Sequence, residues 1–282
     1  MKFRQYKDVE EFKADVLDIL LEDEVINNLP ISILIDSKRD NASNWLLSIV
    51  TDDIGKIVLI AVCTKPFNIL LYEPGSLRND AALELLASEL KRIDFVPPGV
   101  LAISGLAGRF ADAYCGVTGS SLHMSMILMR LDKLADYNKA PGFSRMLIEN
   151  DISYTPSWER SFCIDCRIHV YTLSECEERI RTRLGKDTHF IWEDEKPVAQ
   201  AVIGRSTPNS AVISWVYTPP SFRGRGYATS VVAEVSKTAF ANGKNFCCLF
   251  ADAANPVSCG VYHKLGYYKV CLFDEIRFDT VK

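Results

Sequence analysis

The hydrophobic positions in the second half of the chain change their period in a regular order. Three runs rich in β-branched and aromatic residues, separated by Pro, Asn, Asp and Ser, predict an antiparallel three-stranded meander. A stripe of apolar residues at spacings of three and four then predicts a helix, and a strand, a short helix and a closing strand follow. The predicted strands are 188–194, 197–204, 211–218, 245–251 and 267–278, and the predicted helices are 227–241 and 258–265.

A further helix precedes the meander. Ser174 and Glu177 fit the S-x-x-E pattern of a capping box, and apolar residues follow at helical spacing as far as Leu184. Gly185 then provides the stop that commonly ends a helix. The pattern predicts a short amphipathic helix over 174–184.

The first half repeats this order of elements. Asp8 and Glu11 form another possible capping box at the start of an apolar helical stripe. Predicted strands lie at 45–51, 57–64, 67–72, 100–104 and 124–129, with helices at 79–92 and 106–115. The offset of roughly 145 residues indicates a duplication. The Asn, Pro and Gly of 137–143 suit a linker, so we predict two α+β units, 1–137 and 143–282.

Composition and charge exclude several classes of protein. The 282 residues are 48% hydrophobic, and 36 acids balance 32 bases for a formal charge of −4. Without a long run of one sign, the chain does not fit a nucleic-acid or anionic-membrane binder. The longest apolar run, 57–63, is too short to span a membrane, and the N-terminus lacks the features of a signal peptide. We therefore expect a cytoplasmic protein.

The cysteines and histidines do not form a metal-binding pattern. The nine cysteines lie in apolar contexts such as "NFCCLF", which favours reduced, buried thiols. Cys163 and Cys166 have the spacing of a zinc or redox pair, but no second pair or nearby histidine accompanies them. Packing on a helix face is the preferred interpretation of this pair, and we expect no metal.

The stretch "FRGRGYATS", residues 222–230, connects the third strand of the meander to the long helix. Pro219 and Pro220 end the strand, while Gly224 and Gly226 permit backbone angles that other residues avoid. Such a loop is consistent with a plain turn, a basic patch or an anion site. Free backbone N–H groups and the positive end of the helix dipole favour the anion site.

The same stretch resembles a known family motif. Residues 223–228 match R-x-x-G-x-[GA], the acyl-CoA pyrophosphate loop of the GNAT superfamily of N-acetyltransferases. The next segment is similar to that superfamily as well, with Asn255, Tyr262, Gly266 and Tyr267 at matching places. The resemblance covers 143–282. The whole layout resembles bacterial proteins in which a degenerate GNAT-like half precedes a catalytic one.

This resemblance implies a fold and a cofactor site. Each unit is expected to be a mostly antiparallel mixed sheet with a splayed central strand pair, flanked by helices. Unpaired backbone near 216–218 would hold the pantetheine arm of acetyl-CoA, and an N–H there would stabilise an oxyanion. Asn255 would bind the pantetheine amide or cap its helix. The residues expected to bind coenzyme A are Val216, Tyr217, Thr218, Arg223, Gly224, Arg225, Gly226, Tyr227, Ala228, Thr229, Asn255 and Ser258.

The resemblance also implies one catalytic side chain. Tyr262 lies about two helical turns after Asn255 and would protonate the departing thiolate, because a phenol and a thiol have similar pKa values. Its alternative role is to fill space beside Gly266. The general base stays open among Glu193, Asp194, Asp252 and a water molecule. No cysteine has a convincing nucleophile position, and Cys259 is better explained as a packing residue, so the amine would attack the thioester directly.

The first half departs from the motif. Its corresponding stretch, 70–83, has one glycine and places Glu73 where a pyrophosphate would be repelled. We expect this half to bind no coenzyme A and to shape the acceptor cleft.

The predicted function is that of an acetyl-CoA-dependent N-acetyltransferase with a small-molecule or peptide amine as acceptor. The alternatives are a non-catalytic acyl-CoA-binding or sensory module and a transferase of a longer acyl group. The acceptor stays open among a polyamine, an aminoglycoside, an amino acid and a protein amine. An acidic cleft would favour a cationic acceptor, and the sequence does not indicate an oligomeric state.

Overall fold

The structure, a computed structural model, describes residues 1–36, 44–75 and 78–279. The chain folds as two compact units, Met1–Leu128 with Val270–Lys282, and Met129–Lys269. In chain order the elements of the described residues are β1 (Lys2–Tyr6), α1 (Val9–Glu22), α2 (Asn28–Asp36), β2 (Trp45–Thr51), β3 (Ile57–Thr64), β4 (Ile69–Tyr72), α3 (Asp80–Arg92), β5 (Gly99–Ile103), α4 (Ser104–Cys115), β6 (Ser120–Leu131), β7 (Phe143–Met146), α5 (Thr155–Asp165), α6 (Leu173–Arg181), β8 (His189–Asp194), β9 (Lys196–Ser206), β10 (Ser210–Tyr217), α7 (Tyr227–Ala241), β11 (Phe246–Asp252), α8 (Pro256–Lys264) and β12 (Tyr268–Phe278), with 3-10 turns at Glu149–Ser153 and Pro220–Phe222.

The first unit is a mixed sheet covered on both faces. Its strand order is β1, β2, β3, β4, β5, β12, β6, and the neighbours β1 to β4 are antiparallel while β4 and β5 are parallel. Successive residues of β2 point to opposite faces, so Leu46 joins one core cluster and Leu47 the other. Phe12 of α1 packs in the Leu47 cluster, and Phe110 of α4 packs in the Leu46 cluster.

The second unit has the same kind of sheet. Its strand order is β11, β10, β9, β8, β7, with β7 to β10 antiparallel and β10 parallel to β11. The meander predicted from the sequence is therefore confirmed. Helix α7 packs against β8, β9 and β10, and α5 packs against β10. The fold is therefore a mixed α+β fold with mostly antiparallel sheets, as the sequence predicted.

Several elements differ from the sequence prediction. The capping box at α6 uses Thr172 and Glu175, not Ser174 and Glu177, because Thr172 has the extended backbone of an N-cap and its side chain accepts the Glu175 N–H. This helix ends at Arg181, before the predicted stop at Gly185. The sequence prediction also missed β1, α2, β7 and α5, which are short or lack a regular apolar period.

The closing strand belongs to the first unit. Phe273 to Arg277 of β12 pair with Ile103 to Gly99 of β5 in an antiparallel register. The compact units therefore divide differently from the predicted 1–137 and 143–282, because strand pairing, and not chain proximity, decides where 270–282 lies. In the described part of the chain, no helix is both long and apolar enough to cross a membrane.

The first residue of β8, His189, is a buried histidine. His189 is 1% exposed, and its Nε2 lies 3.2 Å from the Gln200 side-chain oxygen. Burial, with the nearby Arg183 guanidinium, lowers the pKa of His189 to about 4 from its usual 6.5. The imidazole is therefore neutral in the folded protein at neutral pH.

His189 should make the fold acid-sensitive. Since its folded pKa lies below the unfolded value, the unfolded chain takes up the proton first as pH falls from 6.5 towards 4. This group alone then lowers the free energy of unfolding by about 3 kcal/mol across that window. Urea denaturation at a series of pH values should show the loss. His189→Gln should flatten that part of the profile, whereas His169→Gln, at an exposed histidine, should leave it unchanged; an equal slope in both variants would contradict the assignment.

Candidate functional site

The second unit contains a strand pair that separates. β10 and β11 pair at Ser210, Ala211 and Val212, although both strands continue beyond that point. The register of β10 against β9 shifts twice between Val212 and Tyr217, and between those positions Trp215 has a φ of 54°. A non-glycine residue in this left-handed region is strained by about 1–2 kcal/mol, and such bulges increase the local twist of a strand. The bulge accompanies the predicted splay of the strand pair.

A cleft of about 1440 Å³ lies at this opening. It is lined by β10, the start of α7, the end of β11, α8, and parts of α5 and α6. Arg225 is the predicted coenzyme-binding residue that does not line the cleft. The other predicted residues that line it are Val216, Tyr217, Thr218, Arg223, Gly224, Gly226, Tyr227, Ala228, Thr229, Asn255, Ser258 and Tyr262.

The start of α7 presents free backbone donors. Gly226, the N-cap, has a φ of 83° and provides no side-chain cap, and Gly224 also has a positive φ of 77°. The first helical N–H groups, at residues 227–229, therefore have no partner within the helix. Together with the helix dipole they can bind an anion in the cleft. Arg225 is exposed and lies beside the Tyr227 hydroxyl instead.

The two ends of this loop are held by polar contacts. Arg223 donates from Nε to the Thr218 carbonyl at 2.9 Å and from Nη2 to Asp165 Oδ2 at 2.7 Å. Its guanidinium therefore shapes the loop, and is less free to follow a ligand than the sequence suggested. The hydroxyl of Thr218 is buried and has no hydrogen-bond partner among the described residues. An unpaired buried hydroxyl at a cleft wall is suited to a polar group of a ligand.

Asn255 caps helix α8. Its Oδ1 accepts the Ser258 N–H at 3.1 Å, and the Ser258 hydroxyl donates to the Asn255 carbonyl at 3.0 Å. Of the two roles considered for Asn255, the cap is thus present, and the side-chain NH₂ is the group left to face a ligand. Ser258 is occupied by the same cap.

Tyr262 lies in the cleft wall, 8% exposed. Its ring contacts Tyr267 edge to face, with centroids 5.9 Å apart. Burial raises the pKa of Tyr262 well above its usual value, and the neighbouring thiols of Cys166 and Cys259 add to the effect. The near-balanced proton transfer expected from the sequence therefore needs correction: this phenol stays protonated and is a weaker acid than a thiol.

The three candidate bases all have partners. Glu193 accepts a hydrogen bond from Arg145 at 2.5 Å, and Asp194 accepts one from the Tyr227 hydroxyl. Asp252 is the one of the three that lines the cleft, but it accepts from Arg167 at 2.8 Å. Glu193 and Asp252 are thus held by arginines and Asp194 by a tyrosine hydroxyl, so each of the three carboxylates is already engaged in a contact within the protein.

The thiols are poor nucleophiles. Burial raises the pKa of Cys163 and of Cys166 to about 11, so both are protonated at neutral pH. Cys163 and Cys166 are free thiols and do not form a disulfide. Among the described residues, no group of three or more His, Cys, Asp or Glu side chains is arranged to hold a metal ion.

The sequence analysis missed one side of the cleft. The Trp215 ring lies 5.0 Å from the Phe162 ring of α5, and the guanidinium groups of Arg179 and Arg183 lie 5.3 and 5.4 Å from it. The spacing of the two arginines, four residues apart in "RIRTRL", was the available signal. Nothing in the sequence indicated the strained backbone of Trp215, because a positive φ at a tryptophan cannot be read from a sequence.

The first unit has a smaller pocket at the end of β4, and an ion pair lies in its wall. This pocket, about 400 Å³, is lined by the end of β4 and the start of α4. Glu73 accepts the Asn79 N–H at 2.6 Å just before α3 and forms an ion pair with Arg109. The Asn79 side chain caps α3 in turn. Unlike the start of α7, the start of α3 has side chains that accept its backbone N–H groups. Residues 76 and 77 of the predicted loop lie outside the described residues.

Known proteins are similar to part of this chain in sequence and to nearly all of it in fold. The FR47-like protein family model matches residues 194–277. An acetyltransferase of the GNAT family from Colwellia psychrerythraea is 11% identical, with 99% of each chain covered and a TM-score of 0.60. A GCN5-related N-acetyltransferase from Sphaerobacter thermophilus is 14% identical over 98% of this chain and 94% of its own, with a TM-score of 0.67. A tandem GNAT protein from the clavulanic acid biosynthesis pathway is 12% identical over 98% of this chain and 97% of its own, with a TM-score of 0.58. Among curated proteins, none matches the sequence.

The separated strand pair, the glycine-turned loop and the helix that follows it define the GNAT fold, and the solved structures share it. The sequence similarity to the FR47-like family is confined to residues 194–277, whereas the similarity in fold extends over nearly the whole chain.

Replacing Glu73 should test how much the ion pair in the wall of this pocket stabilises the first unit. Glu73→Ala removes the acceptor for the Asn79 N–H and the buried carboxylate partner of Arg109, which is 17% exposed and keeps only the half-exposed Asp80. We expect a loss of about 2–3 kcal/mol in the free energy of unfolding, since breaking a mostly buried pair is costly. Arg78→Ala, which removes an exposed ion pair with Asp80, should cost about 0.5 kcal/mol or less. Equal losses in thermal or urea denaturation would contradict this interpretation.

Proposed function

We propose that this protein is an acetyl-CoA-dependent N-acetyltransferase that transfers an acetyl group to a primary amine. The observation that carries the proposal is that three features line one cleft: the opened strand β10, the uncapped start of α7 and the Tyr262 side chain. Neither a plain turn nor a basic surface patch would require these three features to occur in the same cleft. The fold of known acetyltransferases supports the same conclusion.

Coenzyme A would bind along this cleft. Its pyrophosphate would lie against the backbone N–H groups of Tyr227, Ala228 and Thr229, where Gly224 and Gly226 allow close approach. Its pantetheine arm would follow β10 from Thr218 towards Val216, in the place of the strand that has diverged. The unpaired Thr218 hydroxyl would take one of its polar groups.

The chemistry would be direct attack of a neutral amine on the thioester. A backbone N–H near Val216 would stabilise the oxyanion as the carbonyl carbon becomes tetrahedral. Tyr262, kept protonated by burial, would stabilise the leaving thiolate by donating a hydrogen bond to it. Water would remove the proton from the amine, since the Asp252 carboxylate is held by Arg167. The high pKa of the buried thiols argues against a covalent acyl-cysteine.

We also propose that the protein works in the cytoplasm. None of the nine cysteines forms a disulfide, and five of them, at positions 63, 163, 176, 247 and 248, are fully buried. Thiols persist in a reducing compartment, whereas secreted proteins tend to oxidise theirs.

A charge at the helix start should abolish coenzyme A binding. Gly226→Glu places a carboxylate where the pyrophosphate would lie, and we expect calorimetry to show an affinity at least about 100-fold lower. Gly243→Glu is the matched control, because Gly243 has nearly the same φ, 81°, just beyond the other end of α7. Retention of normal affinity by Gly226→Glu would show that the loop assignment is wrong.

Removing the phenol should slow turnover but not binding. We expect Tyr262→Phe to lower kcat by about 10- to 100-fold at unchanged coenzyme A affinity, measured by thiol release. Because its pKa is raised, Tyr262 should also cause no loss of activity up to about pH 10. Tyr268→Phe, at an exposed tyrosine that bonds Asp132, is the control.

Two outcomes would contradict the catalytic proposal. If Tyr262→Phe has an unchanged kcat with every active amine, the Tyr262 hydroxyl does not assist the departure of the thiolate. Binding of acetyl-CoA without thiol release, whatever amine is added, would favour a non-catalytic acyl-CoA-binding module. Competition between acetyl-CoA and longer acyl-CoA esters would show the preferred chain length.

A further inference from the structure

The cleft of the second unit is lined by more positive than negative side chains. Six basic residues line it, against the two acids Asp165 and Asp252. Both acids are already paired with arginines, Asp165 with Arg223 and Asp252 with Arg167. The cleft therefore has no carboxylate left over for a cationic ligand, and its unbalanced charge is positive.

The excess charge is concentrated on the α6 side. Arg179 and Arg183 share one carboxylate, Glu159, which is fully buried beneath them. Arg179 uses its Nε at 2.8 Å and Arg183 its Nη1 at 2.6 Å for these bonds. Two guanidinium groups with a single counter-charge leave one net positive charge, and these bonds to Glu159 use one of the five N–H donors of each guanidinium.

An aromatic surface lies between this arginine pair and the proposed reaction centre. Trp215, which immediately precedes Val216, is contacted by the Phe162 ring and by both guanidinium groups. Ile168 and Cys166 line the same part of the cleft. The strained backbone of Trp215 holds its ring at this place, and strain of this kind clusters at functional positions.

We infer that the acceptor is an amine that also carries a carboxylate, with an apolar or aromatic part between the two groups. The carboxylate binds Arg179 and Arg183, the apolar part lies on Trp215 and Phe162, and the amine then reaches the thioester beside Val216. This inference rests on the proposed acetyl transfer and names the substrate class for it. Planar guanidinium groups match a carboxylate in geometry as well as in charge.

The same charges disfavour other acceptors. A polyamine or an aminoglycoside carries several positive charges and would be repelled by the arginine pair, with no free acid to offset the repulsion. The acidic cleft that would favour such acceptors is thus not what the second unit presents.

Binding to the wild-type protein tests the inference without any variant. N-acetyl-L-phenylalanine and N-acetyl-L-phenylalaninamide differ in the carboxylate alone, and each resembles a reaction product. In the presence of coenzyme A, calorimetry should show the acid binding about tenfold or more tightly than the amide. Equal binding of the two, or tighter binding of the amide, overturns the inference.

Variants locate the effect. Arg183→Gln should reduce the preference for the acid to about twofold or less, while Arg181→Gln should retain it, because Arg181, the last residue of α6, is close in the chain but pairs with Glu177 and Glu149 outside the cleft. Lys186→Gln offers a second test at a lining cation. A full preference retained in both Arg183→Gln and Lys186→Gln overturns the assignment to this side of the cleft.

The same measurements separate the inference from the proposed function. Selective binding of the acid without any acetyl transfer from acetyl-CoA to L-phenylalanine would support the carboxylate site and count against the transferase. Transfer to L-phenylalaninamide at least as fast as to L-phenylalanine, by kcat/KM, would support the transferase and overturn the carboxylate site.

Discussion

The separation of β10 from β11 is the constraint on which the site depends. Three residue pairs hold the two strands together, and the left-handed turn at Trp215 lies where β10 leaves the regular ladder. Without that divergence the backbone near Val216 would be consumed by sheet hydrogen bonds, and the cleft would close. The strain at one residue is offset by the packing of its indole against Phe162 and two guanidinium groups.

Buried carboxylates organise the rest of this unit. Glu159 joins α5 to α6, and Asp151 joins the start of α5 to β7 through two hydrogen bonds from Arg145. Each carboxylate is 3% exposed or less, so the loss of its arginine partner would leave a negative charge unpaired in a region of low dielectric constant. These pairs fix the helices that form one wall of the cleft, which gives the arginine side of the cleft a rigid base. In the first unit, Glu73 and Arg109 form a similar ion pair in the wall of a pocket.

The sequence predicted the elements with strong periodicity and the residues of the glycine loop. The meander, α7 and α8 carry clear apolar patterns, and Gly224 and Gly226 do have the positive φ values that their residue type suggested. Helix α5 was missed because its pattern in "TPSWERSFCID" mixes aromatic and charged residues, with a buried glutamate on its apolar face. The Tyr262 pKa and the Trp215 backbone depend on tertiary packing, which local sequence does not encode. The place of β12 was missed because strand pairing at long range cannot be read from element order.

The pairing of β12 with β5 also has a consequence for how the chain acquires its structure. The second unit is continuous, 129–269, whereas the first is completed only by residues from 270 onwards. During synthesis the edge of β5 therefore stays open until the residues of β12 have been made and can pair with it. An open edge is prone to aggregation, so a nascent or C-terminally trimmed chain should depend on chaperones more than the intact protein does.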